Sequence, residues 1–215
     1  MGEPSDIREG FIPLWPTIFI QKRLPGHEAY DASLVTAVQE LERKSGRSLT
    51  TAYRYDFFAD PDPAIQWLKN QIHQVMAAYF HWLRIPYDVE GTIQGWANIN
   101  RLGDYHDLHN HPGAYLSGTY YARVPKAKKM KHSRADLRPG CITFYDPRYC
   151  ANMIAIEGDP YMSGEHTIRP EPGLLLMWPA FVNHFVHPNL SQEPRVSISF
   201  NVVLRPSDDH LPPTV

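Results

Sequence analysis

The chain has few cysteines, no excess of charge of either sign and no long run of apolar residues. Its two cysteines, Cys141 and Cys150, cannot build a disulfide framework, and two isolated cysteines do not make a zinc site. The formal net charge of −2 gives no electrostatic reason to expect nucleic acid as a partner. No segment approaches the ~20 apolar residues of a membrane span, and the acidic N-terminus lacks the apolar core of a signal peptide. These absences predict a cytoplasmic enzyme or binding protein without a membrane or nucleic-acid partner.

Positive charge is concentrated in one place, the segment KAKKMKHSR at 126–134. Such a segment can serve as a nucleic-acid patch, but in a chain without net positive charge a solvated loop is the better interpretation. We expect this loop to lie at the rim of the fold, where it could control substrate access.

The N-terminal part of the sequence predicts an extended segment followed by two helices. Residues 11–20 are apolar and contain two prolines, which favours an edge strand or an extended arm. Asp31 can cap a short amphipathic helix that stops at Gly46. Asp62 can cap a second helix, Pro63 fits its first turn, and its apolar residues recur at helical spacing. We expect the wide apolar face of this second helix to pack on a sheet.

From about residue 92 the sequence changes to short segments typical of strands, separated by turn residues such as Pro139-Gly140 and Pro172-Gly173. Seven strands are predicted, at 92–101, 114–124, 140–146, around 166–170, and at 173–179, 183–188 and 195–204. The pattern predicts a mainly β (α+β) fold. We expect one domain over residues 1–215, with helical support at about 28–85 and a β-barrel at about 92–205.

The 11 histidines are unevenly distributed, and two clusters suggest a metal site. In an extended chain, residues two apart point to the same face, so Asp107, His109 and His111 would project together. Further along, His184 is followed by Arg195 at the start of a β-branched strand. A jelly roll brings the ends of distant strands together, so this histidine could complete a metal site and the arginine could bind a carboxylate. Taken singly, the arginine is better interpreted as a surface charge and the histidine as a core residue.

Taken together, these segments resemble the 2-oxoglutarate/Fe(II)-dependent oxygenase superfamily. The likeness is to its prolyl-hydroxylase-like part and to a group of bacterial and phage oxygenases, and it covers roughly residues 92–205. Two segments carry it, with FYDPR between them: HNHPGAYLSGTYYARVP and PAFVNHFVHPNLSQEPRVSISFNV. The resemblance implies a double-stranded β-helix (jelly-roll) barrel buttressed by the N-terminal helices.

The resemblance also implies a cofactor set and a role for individual residues. Iron(II) would be held by His109, His111 and His184, with 2-oxoglutarate as co-substrate. Arg195 would hold the far carboxylate of 2-oxoglutarate, with Tyr121 and Ser199 as its hydroxyl partners. The spacing of four between Arg195 and Ser199 lets both face one cavity from a single strand.

One position departs from the family pattern. The usual third ligand is a carboxylate, but His111 stands at that position here. An imidazole in place of an acid leaves the site more positive, which would raise the iron's potential unless a nearby acid compensates. Asp107 is the candidate for this acid, and it would either bind the metal itself or lie next to the metal ligands without binding the metal. We expect His106 and His187 to lie outside the ligand set.

The predicted function is hydroxylation of an unidentified small-molecule or peptide substrate with O2, with release of succinate and CO2. Two alternatives stay open at this stage. One is a cupin-type dioxygenase that uses three histidines and no 2-oxoglutarate. The other is a non-catalytic metal-binding jelly-roll module, because fold does not imply function. A homodimer is compatible with all three.

Overall fold

The computed structural model describes residues 16–50, 56–126, 136–148, 156–157, 159 and 163–205. Within them lie two α-helices, α1 (Asp31–Ser45) and α2 (Pro63–Trp82), and nine strands. The strands, in chain order β1 to β9, are Ile20–Arg23, Gly91–Asn100, His106–His109, Leu116–Arg123, Ile142–Tyr145, Glu165–Ile168, Leu174–Pro179, His184–Val186 and Arg195–Leu204. Most of the predicted basic loop lies outside the described residues, as does Cys150.

The strands form two antiparallel sheets, which confirms the prediction of a mainly β fold. The larger sheet has the order β1-β7-β4-β9-β2 and the smaller sheet β3-β8-β5-β6. From β2 to β9, successive strands are divided between the sheets in the order of a jelly roll with two Greek keys. β1 adds an edge strand to the larger sheet, and it begins at Ile20, where the predicted extended segment ends.

The helices pack on the outer face of the larger sheet. Leu34 and Val38 of α1 and Leu68 and Ile72 of α2 belong to the same buried cluster as Phe200 of β9. A second buried cluster, including Phe144 and Trp178, fills part of the space between the sheets. The larger sheet is therefore covered on both faces, and the predicted buttressing by N-terminal helices is confirmed. Neither helix in the described part of the chain has the length and apolar character to cross a membrane.

The predicted ends of the helices are correct in three places and wrong in one. The Asp62 carboxylate accepts from the backbone N–H of Ala64 at 2.8 Å, Pro63 begins α2, and Gly46 ends α1 at a φ of 64°. Asp31, however, does not cap α1. It is the first helical residue, and its carboxylate binds His27 Nδ1 at 2.7 Å and the Tyr120 hydroxyl, because tertiary partners compete with the local backbone.

Strand β9 explains how a pocket can form inside this fold. Val196, Ile198 and Phe200 point to the helices and are fully buried. Arg195, Ser197 and Ser199 alternate with them and therefore face the space between the sheets. The alternation gives the outer face its apolar packing and leaves polar groups inside.

Candidate functional site

A pocket lies between the two sheets and encloses about 450 Å³ of empty space, its open mouth included. The larger sheet contributes mostly small hydroxyl, amide and aromatic side chains. The smaller sheet contributes imidazoles and aliphatic groups. The lining comprises Trp96, Asn100, His106, His109, His111, Ser117, Gly118, Thr119, Tyr121, Ile142, Trp178, His184, Val186, Arg195, Ser197 and Ser199.

Three histidines converge in this pocket. His109 is the last residue of β3, His184 is the first residue of β8, and the two are paired across the strands. His111 follows in the turn after β3, where its backbone N–H donates to the Ala180 carbonyl at 3.0 Å. One nitrogen from each of the three rings lies within 4.8 Å of the others. This arrangement can hold one metal ion between three imidazoles.

Two of the rings are oriented by backbone carbonyls. His109 Nδ1 lies 2.6 Å from the Asp107 carbonyl oxygen, and His184 Nδ1 lies 3.1 Å from that of Val182. A carbonyl oxygen only accepts, so each Nδ1 must carry a proton and Nε2 is the nitrogen that can offer a lone pair. This is how histidine ligands are commonly oriented in metal sites.

Burial keeps two of the three imidazoles neutral, those of His111 and His184. Burial lowers the pKa of His111 to about 4, with smaller effects from His109 and His106. Burial also lowers the pKa of His184 well below its usual value. Neutral rings are the form that binds a metal, so these two imidazoles can bind one at neutral pH.

His111, and not Asp107, joins the other two imidazoles in space. The Asp107 carboxylate lies outside the group of three and accepts from the backbone N–H of Leu108 at 2.8 Å. The cause is an irregularity in β3, where the pairing with β8 shifts between His106 and His109. The assumption of regular alternation from Asp107 to His111 was therefore wrong, since β3 ends at His109 and the rings of His106 and His109 both line the pocket.

Arg195 is the most unusual charge in the pocket. It is 1% exposed, and its Nη2 donates to Asn100 Oδ1 at 3.0 Å, while Nε and Nη1 are buried without a hydrogen-bond partner. Within the described residues no carboxylate lies within ion-pair distance of it. Burial lowers the pKa of this guanidinium, but an arginine side chain stays protonated in proteins. The pocket therefore contains a fixed positive charge with two donors free for an anion.

The predicted hydroxyl partners also line the pocket. Tyr121 is buried on β4, and burial raises its pKa to about 12, so its hydroxyl keeps its proton at neutral pH. Ser199 accepts from Asn98 Nδ2 at 3.0 Å and lies 3.4 Å from Thr119 Oγ1. Ser197 lies between Arg195 and Ser199 on the same face of β9.

Sequence reasoning missed the residue that holds Arg195. Asn100 ends β2, is fully buried, and is paired with Arg195 across the strands. Its amide also lies 3.2 Å from Nε2 of His106, which in turn lies 3.0 Å from the Thr50 carbonyl oxygen. The alternation of Asn98 and Asn100 with apolar residues in β2 was the available signal. His106 thus lines the pocket without joining the three-ring group, and His187 is bound to Thr143 instead, at 2.8 Å.

The half-buried His106 predicts an acid-sensitive fold. Its pKa is lowered to about 4, first by burial and then by Arg195 and His109, whereas an unfolded histidine titrates near 6.5. The unfolded chain thus binds more protons between these values, so the free energy of unfolding should decrease as pH falls from about 6.5 to about 4. We expect His106→Gln to remove on the order of 2 kcal/mol of this decrease in the metal-free protein. Urea unfolding at both pH values measures this change in the free energy of unfolding, and His81→Gln, at an exposed position, is the control. An equal change in the unaltered protein and in both variants would refute the prediction.

Asn100→Asp should weaken the binding of any carboxylate ligand. The new carboxylate would lie where Asn100 Oδ1 now accepts from Arg195, and would neutralise the guanidinium internally. For the 2-oxoglutarate that the sequence resemblance implies, we expect at least about a tenfold loss of affinity, the equivalent of one charge-assisted hydrogen bond. Asn98→Asp, on the same strand and face but bonded to Ser199, is the matched control. Equal losses in the two variants would contradict a role through Arg195.

The comparisons with known proteins agree with this site. A family model described as "Putative 2OG-Fe(II) oxygenase" matches residues 94–201, half of the chain. A prolyl-4-hydroxylase from Pseudomonas putida is similar in structure, with a TM-score of 0.56 and 15% sequence identity, over 87% of this chain and 88% of that one.

Two further similar structures are α-ketoglutarate-dependent enzymes of nogalamycin biosynthesis. The epimerase SnoN has a TM-score of 0.57 at 17% identity, over 92% of this chain and 86% of that one. The carbocyclase SnoK has a TM-score of 0.57 at 10% identity, over 86% and 79%. At these identities the likeness shows the shared fold. No curated protein sequence matches the chain.

Proposed function

This chain belongs to the 2OG-Fe(II) oxygenase family, so we propose that it hydroxylates an organic substrate with O2 while converting 2-oxoglutarate into succinate and CO2. Family membership makes it an iron(II) enzyme with 2-oxoglutarate as co-substrate. The hydroxylation outcome and the roles of single residues are our proposals. Iron(II) with 2-oxoglutarate and O2 would supply the oxidation of a C–H bond, with O2 as the oxidant, and no side chain can perform this oxidation.

The observation that carries the proposal is the unpaired guanidinium of Arg195 in the same pocket as the three imidazoles. A buried charge without a counter-ion is strongly unfavourable, and an isolated fold gains nothing from it. A dicarboxylate explains both features, because one end can chelate a metal while the other end binds the guanidinium. The donor set fits this co-substrate.

The spacing of the two groups supports the same assignment. His184 and Val186 both line the pocket from β8. Val186 pairs with His106 on the neighbouring strand. His106 contacts Asn100, the residue that accepts a hydrogen bond from Arg195. Arg195 is thus connected, through Asn100 and His106, to the Val186 position of β8, which is two residues, or about 6.6 Å of strand, from His184. A five-carbon dicarboxylate is of comparable length.

We propose that His109, His111 and His184 hold the iron through their ring nitrogens. Arg195 binds the distal carboxylate of 2-oxoglutarate, and the protonated Tyr121 hydroxyl donates to the same group. Ser199, already bonded to Asn98 and Thr119, shapes the polar wall beside them. The apolar residues between the sheets, including Phe144 and Trp178, keep bulk water from the reacting atoms.

Neither alternative from the sequence accounts for the site as well. A three-histidine dioxygenase without 2-oxoglutarate would leave the Arg195 guanidinium without its anion unless the substrate supplied one. A non-catalytic module disagrees with the family match. We therefore retain the three-imidazole set as a feature of a 2-oxoglutarate-dependent enzyme.

The test combines spectroscopy with stoichiometry. Under anaerobic conditions, addition of 2-oxoglutarate to the Fe(II)-loaded protein should produce a weak visible charge-transfer band. On admission of O2, succinate and CO2 should form in equal amounts, slowly even without the substrate. A protein that binds Fe(II) but shows neither the band nor succinate would overturn the proposal.

The remaining assignments also stand as proposals. We propose one oxygenase domain over residues 1–215, acting in the cytoplasm on a small-molecule or peptide substrate. A homodimer and the lack of a nucleic-acid partner stay predictions.

A further inference from the structure

Trp178 carries a second unsatisfied donor in the pocket. It lies on β7 and is 2% exposed, and its Nε1 is buried without a hydrogen-bond partner in the described part of the chain. Its ring centroid lies 4.9 Å from that of His184 and 4.8 Å from that of Phe144. The indole therefore packs directly against one of the three converging imidazoles.

Packing alone does not require an indole at this position. On the same inner face of β7, Leu174 and Leu176 fill the space between the sheets with aliphatic groups. A phenylalanine at position 178 would contribute the same kind of ring contact without an N–H. The indole N–H can only donate, and leaving a donor buried without an acceptor is unfavourable. An acceptor supplied by a ligand removes this cost.

The two sets of unsatisfied donors lie at different levels of the pocket. Arg195 is paired with Asn100, at the level of His106 and Val186. Trp178 is beside His184, at the level of the imidazole cluster. A dicarboxylate held by Arg195 at its far end would bring its other carboxylate to the level of Trp178.

We propose that the indole N–H of Trp178 donates a hydrogen bond to the metal-proximal carboxylate of 2-oxoglutarate. This inference rests on the proposed function. Trp178 would then be a co-substrate-binding residue that selects the orientation of the chelating end, as Arg195 selects that of the far end. The pocket would hold both ends of the ligand through donors that nothing else in the described chain uses.

The test is Trp178→Phe, which retains an aromatic ring and removes the N–H. We expect anaerobic 2-oxoglutarate affinity of the Fe(II) protein to fall about tenfold, as for loss of a hydrogen bond to a charged group. The energy of the charge-transfer band should shift, because the carboxylate that loses the bond is the one nearest the metal. Fe(II) affinity without 2-oxoglutarate should not change. Trp67→Phe is the control, since Trp67 stacks on Tyr30 beside α1, away from the pocket.

Each outcome decides the inference. A loss of affinity with a shifted band supports it. A loss with an unshifted band means that the indole acts elsewhere on the ligand, and unchanged affinity means that it does not bind the ligand; either result overturns the inference. If Trp178→Phe unfolds, Trp178→Met offers a flexible apolar replacement for the same measurements. Absence of any band in the unaltered protein would instead refute the proposed function.

Discussion

His184→Ala is expected to lose Fe(II) binding and all 2-oxoglutarate turnover. His184 is the most deeply buried of the three converging imidazoles, and the Val182 carbonyl orients its ring. Loss of an outer partner of a metal ligand typically costs 10–100-fold in affinity, so loss of a ligand itself should exceed about a hundredfold. Metal analysis after dialysis and isothermal titration with Fe(II) under anaerobic conditions measure this change.

The matched control for His184→Ala is His187→Ala, on the same short segment. His187 is also buried, but its ring bonds to Thr143 and accepts from the Arg138 backbone N–H, away from the cluster. This variant should lose some stability and retain full Fe(II) stoichiometry. Retention of the metal by His184→Ala, or its loss from both variants alike, would exclude the three-imidazole site.

Much of the fold could be predicted because each element repeats a simple pattern. Polar and apolar residues alternate along β9 from Arg195 to Phe200, and this alternation indicates a strand with one polar and one apolar face. Asp62 followed by Pro63 marks the start of α2. These signals lie within a few residues of each other in the sequence, so they can be interpreted without knowledge of what the element packs against. The cap of α1 was wrong because Asp31 binds the Tyr120 hydroxyl, 89 residues away, and this choice depends on the packed structure.

The site was predictable in composition but not in geometry. His109, His111 and His184 could be selected from spacing and resemblance, yet their convergence depends on the shifted pairing in β3 and on a turn that follows it. The contact between Asn100 and Arg195 depends on the register of β2 against β9, which alternation alone does not determine. Registers are set by the whole sheet, so the partners of a buried charge appear only once the strands are paired.

Arg195→Met is expected to stabilise the metal-free protein while it removes 2-oxoglutarate binding. The guanidinium is buried with two unpaired N–H groups and only Asn100 as a partner. Replacing even a buried ion pair by apolar groups of similar volume can stabilise a protein by about 1–4 kcal/mol, and a buried charge without a counter-ion is less favourable still. For a chain of this size, each 1 kcal/mol corresponds to a rise of about 2–4 °C in Tm.

Arg195→Met should also cause a large loss of 2-oxoglutarate affinity. Truncation of one partner of a buried charge pair costs about 2–5 kcal/mol, so 2-oxoglutarate affinity should fall by roughly thirtyfold or more, while Fe(II) binding persists. Arg123→Met is the matched control, because Arg123 Nη2 is also buried and unpaired, but this residue does not line the pocket. It should leave the affinity unchanged. If Arg195→Met lowered Tm and left 2-oxoglutarate binding intact, the guanidinium would be a structural group. A rise in Tm together with a fall in 2-oxoglutarate affinity would show that the charge serves ligand binding and does not stabilise the fold.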